Sequence, residues 1–121
     1  MTKVGQITKA FTSKLIFGEP KYKHHFMICV NHRLYYYICS KKRREDYPIT
    51  HNDCPKLPND ISYISLSRYY HVSDDEFKKM KSEHTCTVTD EFLSRFTEHV
   101  RNTPVLNERE RKIVISGLTN K

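Results

Sequence analysis

Pro20 to Glu45 reads PKYKHHFMICVNHRLYYYICSKKRRE, and two runs inside it decide the fold. His25 to Val30 (HFMICV) and Leu34 to Cys39 (LYYYIC) are rich in aromatic and β-branched residues and are separated only by Asn31, His32 and Arg33. That spacing predicts an antiparallel hairpin. Both runs are apolar without interruption, which predicts strands covered on both faces, as in a small barrel or between a sheet and a helix. Antiparallel pairing carries the start of the first strand to the end of the second. His24 and His25 are therefore expected beside Ser40 and Lys41 at one sheet edge.

Outward from the hairpin the pattern stays strand-like, then turns helical. Val4 to Phe17 alternates loosely, compatible with one or two short strands before a turn at Gly18, Glu19 and Pro20. Lys41 to Asp60 is polar, holds three prolines and reads as loop, with room for a short strand at Tyr47 to Thr50. Ile61 to Val72 (ISYISLSRYYHV) alternates cleanly and predicts a long strand, bulged near Ser67. Ser73 and Glu76 have capping-box spacing for about one helical turn, and Thr85 to Val88 fits a short strand. Thr89 then caps a helix whose first turn holds Asp90 and Glu91 and whose apolar face is Phe92, Leu93, Phe96 and Val100. A last helix, about Glu108 to Leu118, takes Asn107 as its cap and buries Ile113, Val114 and Leu118. Strands followed by helices predict a small α+β domain or capped barrel.

The 121 residues suit one domain, a barrel over about 1–88 with helices over about 89–119. Twenty-one Lys and Arg against fourteen Asp and Glu give a formal charge of +7, with a pI near 9.3. That balance favours a polyanionic partner, nucleic acid before an anionic membrane, because the basic residues do not line one face of an amphipathic helix. No stretch approaches the length of a membrane span and the first residues lack the apolar centre of a signal peptide, so a cytoplasmic protein is expected. In a reducing compartment Cys29, Cys39, Cys54 and Cys86 are then expected as free thiols. His51 with Cys54 and His84 with Cys86 are zinc-ligand types, but their spacing matches no standard finger, so no metal is expected. No P-loop, dinucleotide glycine pattern, G-x-S-x-G or H-E-x-x-H occurs, and no cofactor is expected.

The order of these phrases resembles the PemK/MazF family of toxin ribonucleases from about Val4 to Val100. His24 to Cys29 corresponds to that family's first apolar strand and Tyr37 to Ser40 to its second. Asp60 to Ile64 (DISYI) corresponds to the phrase opening the third, and Cys86 to Leu93 (CTVTDEFL) to the strand and cap before the helix. The resemblance implies a small SH3-like or CcdB-like barrel, metal-free cleavage of single-stranded RNA, a homodimer and a protein antitoxin. The family's catalytic arginine and threonine fall near His24 and at Ser40. Here a titratable group replaces a fixed cation while the hydroxyl is kept.

Such cleavage needs a base for the 2′-hydroxyl, an acid for the leaving 5′-oxygen and donors for the phosphorane. His24 or His25 is the candidate acid or base, with Ser40 as donor to a phosphate oxygen. Lys23, Lys41, Lys42, Arg43 and Arg44 are the candidate phosphate contacts and Tyr63 a candidate base-stacking ring. Two rivals share these residues. One is a non-catalytic nucleic-acid-binding or regulatory module on the same barrel, the other a protein-interaction domain whose charge serves solubility or an acidic partner.

Overall fold

The computed structural model describes residues 3–12, 21–43, 46–73, 75–76 and 83–119. Among the described residues six strands form one antiparallel sheet: β1 (Gln6–Thr12), β2 (Lys21–Cys29), β3 (Leu34–Cys39), β4 (Tyr47–Thr50), β5 (Ile61–His71) and β6 (Glu83–Thr87). Two helices follow, α1 (Asp90–Asn102) and α2 (Glu108–Thr119). The spatial order β4-β5-β3-β2-β1-β6 leaves β4 and β6 at opposite edges. The sheet curls into a half-barrel closed by the two helices, so the α+β class is as expected.

β2 and β3 form the expected hairpin, with a register that differs from a symmetric loop. A hairpin closed only by Asn31 to Arg33 sets His24 opposite Ser40. Val30 joins the loop and the ladder is irregular between Met27 and Cys29, so His24 pairs with Ile38 and His25 with Tyr37. The register moves by two residues. Arg33 closes the turn with a positive φ of 50°, its N–H donating to the Val30 carbonyl.

Alternation, interrupted at the irregularities of β2 and β5, splits the sheet into two apolar faces. Phe26, Ile28, Tyr36, Ile38, Ile64 and Leu66 belong to the main core, together with Phe92, Leu93, Phe96 and Val100 of α1 and Val114 and Leu118 of α2. Met27, Tyr35 and Val72, with Tyr70 beside them, form a second, smaller cluster. The uninterrupted apolar runs of β2 and β3 follow from this, since each successive residue meets one cluster or the other. Where β3 meets β5 the register jumps between Tyr36 and Ile38, and three extra residues of β5 bulge around Ser67 as the sequence predicts.

The helices form where their caps and faces predict. Thr89 Oγ1 accepts from the Phe92 N–H at 3.1 Å, and Asn107 and Glu110 exchange bonds at 2.8 and 3.0 Å in a capping box. Gly117 lets α2 lie against β2, because a Cβ there would stand 2.7 Å from the Cys29 Cβ. Gly5 sits at φ +85° and ties the start of β1 to both neighbours, donating to the Met27 carbonyl and accepting from the Val88 N–H. Ser73 and Glu76 make the expected reciprocal bonds at a helical start. The predicted turn at Gly18 to Pro20 and the strand beyond Thr12 lie outside the described residues, as does Arg44.

One expectation about cysteine is overturned. Cys29 and Cys39 are free thiols, but Cys54 and Cys86 form a disulfide with Cα atoms 6.0 Å apart. Their sequence separation of 32 hides the reason: the turn after β4 folds back until Cys54 meets β6, the opposite edge of the sheet. No helix among the described residues is long and apolar enough to cross a membrane.

Candidate nucleic-acid interface

The strand alternation sorts the candidate site residues onto two sides. Lys23 and His25 lie on the face of the small tyrosine-rich cluster, opposite the helices, with Tyr35, Tyr37 and Tyr70. His24 lies on the other side, and alternation carried one residue past β3 puts Ser40 there with it. Ser40 is then diagonal to His24, not opposite it. No hydrogen bond joins His24, His25 and Ser40 among the described residues, and the two histidines cannot serve one face together.

His25 is wholly enclosed, at 0% exposure. Its Nδ1 is hydrogen-bonded to the Tyr70 hydroxyl, and its ring meets Tyr35, Tyr37 and Tyr70 at centroid distances of 5.9, 5.3 and 5.5 Å. Burial pushes its pKa down to about 4. The Ala10 backbone opposes this, and the His24 and Lys23 charges add to it. A neutral imidazole with Tyr70 donating to it is the consequence at pH 7. His24 is half-buried, and its pKa is lowered first by that burial and then by Lys9.

The basic residues cluster where the hairpin ends. Continuing the β2–β3 register by one step sets Lys23 beside Cys39, which pairs with Tyr63, which pairs with Pro48 of β4. Lys23, Cys39, Tyr63 and Pro48 thus make one row across four strands, and Lys23, Cys39 and Tyr63 are half-exposed. Immediately past Cys39 the chain leaves the sheet with Lys41, Lys42 and Arg43 exposed. Higher on the same face the Tyr37 and Tyr70 rings stack at 4.2 Å with planes 25° apart, and the Lys23 ammonium lies 5.6 Å from the Tyr37 centroid.

Asp46, a residue that sequence reasoning passed over, holds this corner in place. Its buried carboxylate accepts from the Arg43 N–H and from the Leu66 N–H, both at 3.1 Å. The basic loop is thereby fastened to the bulge of β5. The only available signal was an aspartate directly before a short strand, which is too common to single out.

The zinc-type residues do not assemble. Two of the four sulfur and nitrogen donors are consumed by the Cys54–Cys86 bond. His51 Nε2 is hydrogen-bonded to the Leu57 carbonyl at 2.9 Å and His84 Nε2 to Thr87 Oγ1 at 3.1 Å. No cluster of three or more metal-ligating side chains occurs among the described residues. Comparison of the chain with protein-family models, with curated proteins and with solved structures gave no match.

Proposed function

We propose that the chain binds single-stranded RNA without cutting it, on a half-barrel of the SH3-like or CcdB-like kind. The observation that carries this reading is the row from Lys23 to Tyr63, continued by the exposed Lys41, Lys42 and Arg43. Cations spaced along a sheet edge track a phosphate backbone, and a half-exposed ring in the same row offers a face to an unpaired base. Catalysis is the weaker reading, because the acid–base candidates are divided. His25 is enclosed and held neutral, and His24 faces the side away from Lys23 and Tyr63.

The endoribonuclease reading keeps one supporting observation. Lowering of the His24 pKa holds that imidazole neutral at pH 7, the state a general base requires, on the side where Ser40 falls. A toxin of the PemK/MazF kind would then act here through His24 and Ser40, as a homodimer restrained by an antitoxin. In both readings the protein acts without a metal.

A short mixed-sequence RNA, incubated with purified protein in EDTA, separates the two. Binding whose logarithm falls with log salt by about 0.7 per phosphate contact, with the RNA left intact, supports the binding module. Replacing Lys41, Lys42 and Arg43 by alanine should weaken that binding and flatten the salt slope. Cleavage abolished by His24→Ala and Ser40→Ala would establish the ribonuclease instead. Absence of both binding and cleavage would defeat both.

A further inference from the structure

We propose that the outer face of Tyr37 is a seat for one base of single-stranded RNA, with Lys23 as the phosphate contact of the same nucleotide. This rests on the RNA-binding reading above and assigns a subsite that its basic corner does not contain. Three tyrosines build it. Tyr35 is buried, Tyr70 stacks on it at 5.9 Å with planes 26° apart, and Tyr37 stacks on Tyr70 at 4.2 Å. The stack is rigid at its base, because the Tyr70 hydroxyl is bonded to the enclosed His25. Exposure grows outward along it, from the buried Tyr35 to the half-exposed Tyr70 and Tyr37.

The end of the stack is what distinguishes it from an ordinary core. Beyond Tyr37 stands the Lys23 ammonium, 5.6 Å from the ring centroid, and no acidic side chain among the described residues pairs with it. A lysine over a partly exposed ring is a weak contact with a flexible stem. A stacked nucleobase is the stronger partner for the same ring and excludes more water. When a base takes the ring, the ammonium is displaced by a few ångströms only, within reach of the phosphate attached to that base. Tyr63 lies in the Lys23 row on the same face, so a strand seated on Tyr37 runs toward the exposed Lys41 to Arg43. The formal charge of the chain, +7, suits an anionic occupant and opposes a cationic peptide.

The test uses the full chain and a short oligouridine, single-stranded or annealed to its complement. Tyr37→Phe, which keeps the ring, should bind the single strand as the unaltered protein does. Tyr37→Ala should bind it on the order of ten- to a hundredfold more weakly with an unchanged salt slope. Lys23→Ala should instead flatten the slope by about 0.7. The duplex, whose bases are already stacked, should show no difference between Tyr37→Ala and the unaltered protein. A readout that needs no variant is photocrosslinking of bromouridine-substituted RNA to the unaltered protein, with the crosslink expected at Tyr37. RNA bound normally by Tyr37→Ala, or crosslinks only at Lys41 to Arg43 and Tyr63, would overturn the subsite and leave RNA binding standing. No binding by the unaltered protein would remove both.

Discussion

The hydroxyl of Tyr70 is bonded to Nδ1 of His25, a histidine with no exposed surface. Burial of that ring fixes the sign of a pH effect. In the unfolded chain His25 titrates near 6.5, and in the fold burial lowers it to about 4. The unfolded state therefore takes up the proton first as pH falls. The stability that depends on a neutral His25 is complete above about pH 6.5 and is lost between there and about pH 4, roughly 3 kcal/mol in all. Urea unfolding at several pH values should show this decline. His25→Gln should lower stability at pH 7 and remove that part of the pH dependence, and an unchanged slope would refute the assignment.

Arg111 closes the junction between the helices. Its guanidinium donates to the carbonyls of Val100 and Arg101 in the last turn of α1, of the C-cap Thr103 and of Leu106 in the connection to α2, at 2.8 to 3.1 Å. Arg111→Ala should cost about 3 kcal/mol by denaturant unfolding. Arg111→Lys should recover only a minor part, since a point ammonium cannot reach both sides of the turn as a planar fork does.

Tyr36 is the opposite case. Its ring is enclosed against Tyr69 and Phe96, but its hydroxyl has no hydrogen-bond partner among the described residues. Burial, with smaller contributions from Glu110 and Tyr69, raises its pKa, so the phenol stays protonated. Tyr36→Phe should leave the fold intact and raise its stability by about 1 kcal/mol, because it removes a desolvated donor that gains nothing. A measured loss would show that the hydroxyl is bonded in solution.

Asp46 joins the basic loop to β5 through two backbone N–H groups. Asp46→Ala strands the buried Leu66 N–H and should cost about 2 kcal/mol. On the RNA-binding reading proposed above, RNA affinity should fall further than the fraction unfolded explains, since Lys41 to Arg43 lose their anchor. An affinity that follows only the folded fraction would separate the loop from the interface.

What could be read from the sequence was local. The hairpin, the Tyr47 to Thr50 strand, the Ser67 bulge and both helix caps are set by residues within a few positions of one another, and each forms where its pattern put it, except that β2 runs from Lys21 to Cys29 and gives up Val30 to the loop. The site was less legible, because its geometry depends on register. One residue, Val30, passing from strand to loop, together with the irregularity near Ile28, moved Ser40 from opposite His24 to a diagonal. Alternation then placed adjacent residues, His24 and His25, on opposite faces, one half-buried and one enclosed. The disulfide and Asp46 were invisible for a related reason: each joins segments 20 or more positions apart, and neither partner carries a mark of the other.

The Cys54–Cys86 bond acts on the ends of the sheet, where hydrogen bonding stops. It links the turn following one edge strand to the other edge strand, and a closed loop of that length should add about 3 to 4 kcal/mol. Cys54→Ser with Cys86→Ser, or treatment with dithiothreitol, should lower the unfolding midpoint accordingly. β4 and β6 are also the two edge strands, each paired with a single neighbouring strand among the described residues. Cutting the bond loosens both from their surroundings at once and offers them as templates for self-association. The thiol history of a sample, more than its concentration, should then decide whether it stays monodisperse or grows into strand-paired aggregates.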